Sequence, residues 1–186
     1  MSVPLQDRVR AAIMSDLEAL TTRLADDEVV GLGAYTDADA SNIVVAVHTR
    51  AAYDRAVARR PEYPNYLTWS IGEWDLMSFE QLPEDALVPI NQELAQRLPT
   101  AEDGAQVTFR EAVWEAVVGA LEALARSGQL DRWPHAARAF EPVDAGVSEE
   151  RIRGWTARLN TPERLAEYDA GRPTPRPDRG VPVPAA

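Results

Sequence analysis

No cysteine and no lysine occur in this 186-residue chain, and histidine appears only twice, as His48 and His135. Without Cys there is no thiol nucleophile, no disulfide and no Cys-ligated zinc. Without Lys there is no Schiff-base lysine and no phosphate-binding lysine of a P-loop. All 19 basic residues are Arg. Neither His lies in an HExxH or HxE pattern, so a zinc site would need both imidazoles plus carboxylates from distant segments. Long apolar runs are missing too. The longest uncharged stretches, Ala40–Thr49 and Tyr63–Gly72, are 10 residues each, against about 18–20 for a membrane span. The first 25 residues are charged throughout and lack an apolar signal core, so a cytoplasmic protein is expected.

Acidic residues dominate what is present, 30 against 19 Arg, for a net charge of -11. Residues 1–105 hold 18 acids and 8 Arg, a net of -10, whereas residues 106–186 hold 12 acids and 11 Arg, a net of -1. Such a front half repels phosphate backbones and anionic lipid, so neither nucleic acid nor membrane is expected as a partner. It is either a solvated surface or a face that steers a basic protein.

Apolar spacing outlines the elements. Val9, Ile13, Leu17, Leu20 and Leu24 line one face of a helix over residues 5–25. Val29–Thr36 and Asn42–Thr49 read as strands of a hairpin closed by the turn-rich Asp37–Asn42. Helical patterns follow over Arg50–Arg59, Glu84–Arg97 and Phe109–Arg126, the last with Thr108 and Glu111 at capping-box spacing and Gly128 just past its end. A strand is expected within Ala137–Val147. Two helices then start at the N-caps Ser148 and Thr161, the second stopping near Gly171. The expected fold is a single α+β domain over residues 1–170, a small antiparallel sheet with its hairpin near 29–49 packed by five or six helices. Residues 171–186, with five prolines, read as a disordered tail.

Few residues point to chemistry. Gly31-Leu-Gly33 is half of a dinucleotide fingerprint, but a turn and a strand follow it; these are glycines where backbone or a neighbouring ring comes close. Asp37, Asp39 and Ser41 open like a calcium loop, but Asn42 and His48 stand where Gly and Glu are needed. Asp26, Asp27 and Glu28 read as solvated acids at a helix exit. Ser70 and Ser78 have no signposted base. No cofactor or metal is expected. The most informative segment is Trp69-Ser-Ile-Gly-Glu-Trp74. Ser70 as N-cap would make Glu73 the closing residue of a capping box and Trp69 and Trp74 a hydrophobic staple, with one indole left as an interface anchor in a functional reading.

Taken in order, Gly31–Asp37, an acidic loop, Ile43–Thr49 and then the W-S-x-x-E-W block resemble the domain-of-unknown-function family numbered 4303, over roughly Leu5 to Asp169. The family's block is usually W-S-P-A-E-W; Ile71 and Gly72 replace its Pro and Ala. The resemblance implies a bacterial protein of the toxin-immunity type and carries over no catalytic residue. The favoured expectation is therefore a non-catalytic, cytoplasmic protein-binding domain whose acidic surface meets a basic toxin domain. Its contact residues would be Trp69, Glu73, Trp74, Asp37 and Asp39. The alternatives are a hydrolase or metal-dependent enzyme using His48 with Tyr35, Glu73 or Asp75, and a housekeeping interaction domain.

Overall fold

The computed structural model describes residues 3–22, 24–25, 28–99 and 104–171; the expected tail beyond Gly171 and the acids Asp26 and Asp27 lie outside these. Among the described residues, eight α-helices accompany a four-stranded sheet, so the fold is α+β. Helix α1 (Leu5–Thr21) precedes strands β1 (Val29–Thr36) and β2 (Ile43–Thr49), which form the expected antiparallel hairpin. The chain continues through α2 (Arg50–Arg59), α3 (Pro64–Trp69), a 3-10 turn at Ile71–Glu73, β3 (Leu76–Met77) and α4 (Ser78–Gln81). Then come α5 (Val88–Arg97), α6 (Gly104–Arg126), β4 (Ala137–Pro142), α7 (Glu149–Leu159) and α8 (Pro162–Ala170). The strand order is β3-β2-β1-β4. β3 continues the antiparallel pairing on β2, and β4 adds a parallel strand beside β1, reached through the intervening helices as parallel pairing requires.

Strand alternation gives the sheet two buried faces. Leu32, Ala34, Ile43, Val45, Val47 and Phe140 face the main core, against Val9, Ile13 and Leu17 of α1 and Val113, Val117, Leu121 and Leu124 of α6. The opposite face carries Gly31, Gly33, Ala46, His48 and Ala139, and the segment 64–77 lies on it. Burial on both sides explains why β2 reads as a continuous apolar run and not as an alternation.

Where strand pairing runs out, asparagines replace it. Asn91 accepts the Ile43 N–H and donates to the Ile43 carbonyl, each at 2.9 Å, beyond the reach of the two-residue β3. Asn160 does the same on the open edge of β4, accepting the Arg138 N–H at 3.0 Å and donating to its carbonyl at 2.7 Å. Both side chains satisfy backbone groups that would otherwise be unpaired at an edge.

The expected caps Ser148 and Thr161 form: Ser148 accepts the Arg151 N–H and Thr161 the Arg164 N–H. Gly128, with φ +77°, ends α6 in the left-handed region where a side chain would be strained. The capping box at Thr108 and Glu111 does not form. Helix α6 already starts at Gly104, so Thr108 sits inside it with its hydroxyl on the Gly104 carbonyl, and Glu111 pairs with Arg151.

One buried acid departs from this satisfied pattern. Asp16 of α1 is 1% exposed and accepts the Ala86 N–H at 2.9 Å through one oxygen, while the other has no partner. Burial and the neighbouring Asp85 raise its pKa from 3.8 to about 6, against the opposing pull of the Ala86 N–H.

Candidate functional site

The W-S-x-x-E-W block lies across the second face of the sheet, and its two indoles do different things. Trp74 is 5% exposed and covers Gly31, where an added Cβ would sit 2.8 Å from its ring. Gly33 is held to glycine by β4, since a Cβ there would lie 2.0 Å from the Ala139 carbonyl oxygen. Both glycines serve close approach, as expected. Trp69, half-buried, meets the Tyr168 ring edge-on at 5.3 Å, with the Arg164 guanidinium 5.6 Å from its ring centre.

The expected capping box and staple are absent. Ser70 makes no side-chain cap, and the turn after it is only three residues long. Glu73 instead forms a two-pronged pair with Arg60, its Oε1 accepting from Nη1 at 3.0 Å, and this pair lowers its pKa. The Ile71 N–H, free of helix duty, donates to Glu141 of β4 at 3.2 Å. Long-range partners therefore take over what local spacing assigned to the cap.

His48 and Asp75 do meet. The Asp75 carboxylate accepts from His48 Nδ1 at 3.1 Å, from the Thr49 N–H at 2.8 Å and from the Thr49 hydroxyl at 2.7 Å. Burial works to raise the Asp75 pKa, but the His48 and Thr49 bonds outweigh it and the net shift is downward. A carboxylate only accepts, so the Nδ1 carries the proton and the Nε2 of a neutral ring presents a lone pair. That Nε2 is buried without a partner, as is Nε1 of Trp74, whose ring runs parallel to the imidazole at 6.1 Å. Tyr53 closes the other side edge-on at 5.9 Å.

Of the other members of the expected catalytic set, Tyr35 stays apart. Tyr35 pairs with Val44 and His48 with Gly31, four residues along the same ladder, about 13 Å at the usual strand rise. Glu73 is committed to Arg60. Burial first, then Glu80, raises the Tyr35 pKa. Ser78 is buried and donates to Asp85 at 2.7 Å. His135 is exposed, and its carbonyl accepts from Arg164 at 2.8 Å.

The expected contact acids Asp37 and Asp39 sit in the β1–β2 loop. Asp37 accepts from the Ser41 N–H and hydroxyl, each at 2.7 Å, and from the Asn42 N–H, which shapes the loop. Asp39 is exposed and accepts from Gln106 at 3.0 Å. No group of three or more His, Asp or Glu side chains that could hold a metal ion is found among the described residues. No helix among them is long and apolar enough to cross a membrane.

Sequence reasoning missed a cavity of about 280 Å³ between α3, β4, α7 and α8, with Tyr66, Trp69, Phe140, Tyr168, Glu141 and Glu149 among its lining residues. Burial raises the Glu141 pKa, partly offset by the Ile71 N–H. Trp69 was the one signal for it in the sequence, since the other walls come from segments 70 or more residues away.

Together these features define an α+β domain with a part-buried His–Asp–Thr cluster and an aromatic cavity on the second face of its sheet. A family model, Domain of unknown function (DUF4303), matches residues 9–161. The chain belongs to that family. Comparison with curated proteins and with solved structures returns no match.

Proposed function

We propose that this protein is a non-catalytic, cytoplasmic binding domain of the toxin-immunity type, whose acidic front half meets a basic toxin domain. The observation that carries the reading is the charge imbalance, a net of -10 over residues 1–105 against -1 over residues 106–186, together with the exposed acids that the front half leaves unpaired. In the second half, Glu111, Glu115, Glu122, Glu167 and Asp169 are matched by Arg151, Arg158, Arg126, Arg164 and Arg153, while the exposed Asp144, Glu150 and Glu163 have no ion pair among the described residues. In the front half, Glu18, Asp54, Glu62, Glu80 and Glu84 are exposed and have no ion-pair partner among the described residues. Unpaired surface acids leave a net field that raises the encounter rate with a cationic partner and falls off within a Debye length.

The buried Nε2 of His48 supports a binding role over the enzymatic alternative, because a general base needs hydrogen-bond reach to its substrate. Glu73 and Trp74 are drawn into the fold, so among the contact residues first expected Trp69 and Asp39 remain the better placed. The test is co-expression with the large gene adjacent in the native genome, together with affinity capture of its product. Relief of that product's toxicity and direct binding are expected. A harmless neighbour that does not bind would overturn the immunity reading.

A further inference from the structure

Among the described residues the fold sets its own guanidinium against both a ring and a carboxylate at Arg151 and at Arg164, and leaves Glu141 without one. At the first, Arg151 forms a two-pronged pair with Glu111 while its guanidinium lies 4.7 Å from the centre of the Trp155 ring and 5.6 Å from that of Trp114. A planar guanidinium suits both demands at once, since it pairs bidentately with a carboxylate and stacks on aromatic faces.

The cavity between α3, β4, α7 and α8 offers the same combination. Tyr66, Trp69 and Tyr168 supply ring surface, Glu141 of β4 supplies a carboxylate, and Glu149 of α7 adds a second. Glu141 accepts one hydrogen bond, from the Ile71 N–H, and no Arg among the described residues lies within ion-pairing distance of it. The guanidinium on the Trp69 ring, that of Arg164, is committed to Glu167 and to the His135 carbonyl, the latter at 2.8 Å. A carboxylate set among rings in a low-dielectric recess, with no counter-ion, is left short of the partner that its twin site has.

We propose that this cavity binds an alkylguanidinium group, either on a free small molecule or as the arginine side chain of another protein. Its volume of about 280 Å³ admits such a head group with its first methylenes. The site goes beyond the acidic-surface reading and uses none of the unpaired front-half acids. Burial raises the Glu141 pKa, and a bound cation favours its ionised form, so binding strengthens as pH rises through the titration of Glu141.

The experiment is a titration of the full chain by calorimetry and by ligand-observed NMR, at a mildly acidic and a mildly alkaline pH. N-ethylguanidinium probes the free head group, a capped Gly-Arg-Gly peptide probes the side chain, and tetramethylammonium at equal ionic strength controls for non-specific cation binding. Saturable binding of the guanidinium probes is expected, tighter at the higher pH, and weakened roughly tenfold or more by Glu141→Gln. That variant keeps an acceptor for the Ile71 N–H; Trp69→Phe, which keeps a ring, is a second probe expected to lose several-fold. Binding by both guanidinium probes identifies the free head group as sufficient, and binding by the peptide alone identifies a protein source. No saturable binding by either probe, equal binding of tetramethylammonium, or an affinity unchanged in Glu141→Gln would overturn the proposal.

Discussion

Replacing Asp16 by Asn changes one atom of a buried side chain and removes its ionisation. In the folded protein the Asp16 pKa stands at about 6 against 3.8 for the unfolded group. The folded state therefore holds more protons than the unfolded state between these two values, and stability falls as pH rises through that window. The contribution is fully present below pH 3.8 and is lost once pH has passed 6. The difference between 3.8 and about 6 corresponds to about 3 kcal/mol. In Asp16→Asn the amide oxygen can still accept the Ala86 N–H, and the amide N–H can donate toward Asp85 without forcing a second charge into the core. Urea unfolding of both proteins, followed by Trp fluorescence at several values from about pH 4 to about pH 8, reads the difference. Acids whose pKa is lowered by folding, such as Asp75, Glu73 and Glu115, act in the opposite sense: they contribute stability above their unfolded pKa and lose it as pH falls. Being common to both proteins, they cancel in the comparison. The wild type should lose up to about 3 kcal/mol relative to the variant between pH 4 and pH 8. Parallel curves would refute the assignment of a raised pKa to Asp16.

Further substitutions probe the second face of the sheet and the helix ends. Gly33→Ala pushes a Cβ against the Ala139 carbonyl oxygen and should cost about 3 kcal/mol or more, measured by thermal and urea unfolding. Asp75→Ala strands the His48 Nδ1–H and the Thr49 N–H and should cost about 3 kcal/mol, whereas Asp75→Asn, which retains an acceptor, should cost less. Ser148→Ala removes a formed N-cap and should cost about 1 kcal/mol. Ser70→Ala, at a position whose side chain makes no cap bond, should cost far less in the same assay. An equal loss for the two serines would revive the capping box at Trp69–Trp74.

What the sequence made legible was local. The strands Val29–Thr36 and Ile43–Thr49 and the helix Arg50–Arg59 follow from residue types a few positions apart, as do the caps Ser148 and Thr161, whose hydrogen bonds span three residues. Errors arose where a distant partner outbid a near one. Glu73 had a Ser three residues back but pairs with Arg60, and Trp74 sits on His48 and Gly31 in place of Trp69. The parallel β4 was readable as a strand, but its neighbour, β1, lies about a hundred residues earlier. The cavity was invisible for the same reason, with its rings and carboxylates drawn from four elements. Charge imbalance between the halves could be counted from the chain, but which acids stay unpaired could not, because that depends on which helices bring arginines beside them.

The central claim, that unpaired acids of the front half steer and hold a basic protein, is tested most directly by association kinetics with the captured partner. The salt would be raised from about 25 to about 300 mM. Steered association should slow roughly tenfold or more over that range. A variant with Glu18, Glu62, Glu80 and Glu84 all changed to Gln should associate slowly even at low salt and show little further dependence. Rates indifferent to salt, or a variant that binds as fast as the wild type, would contradict the account.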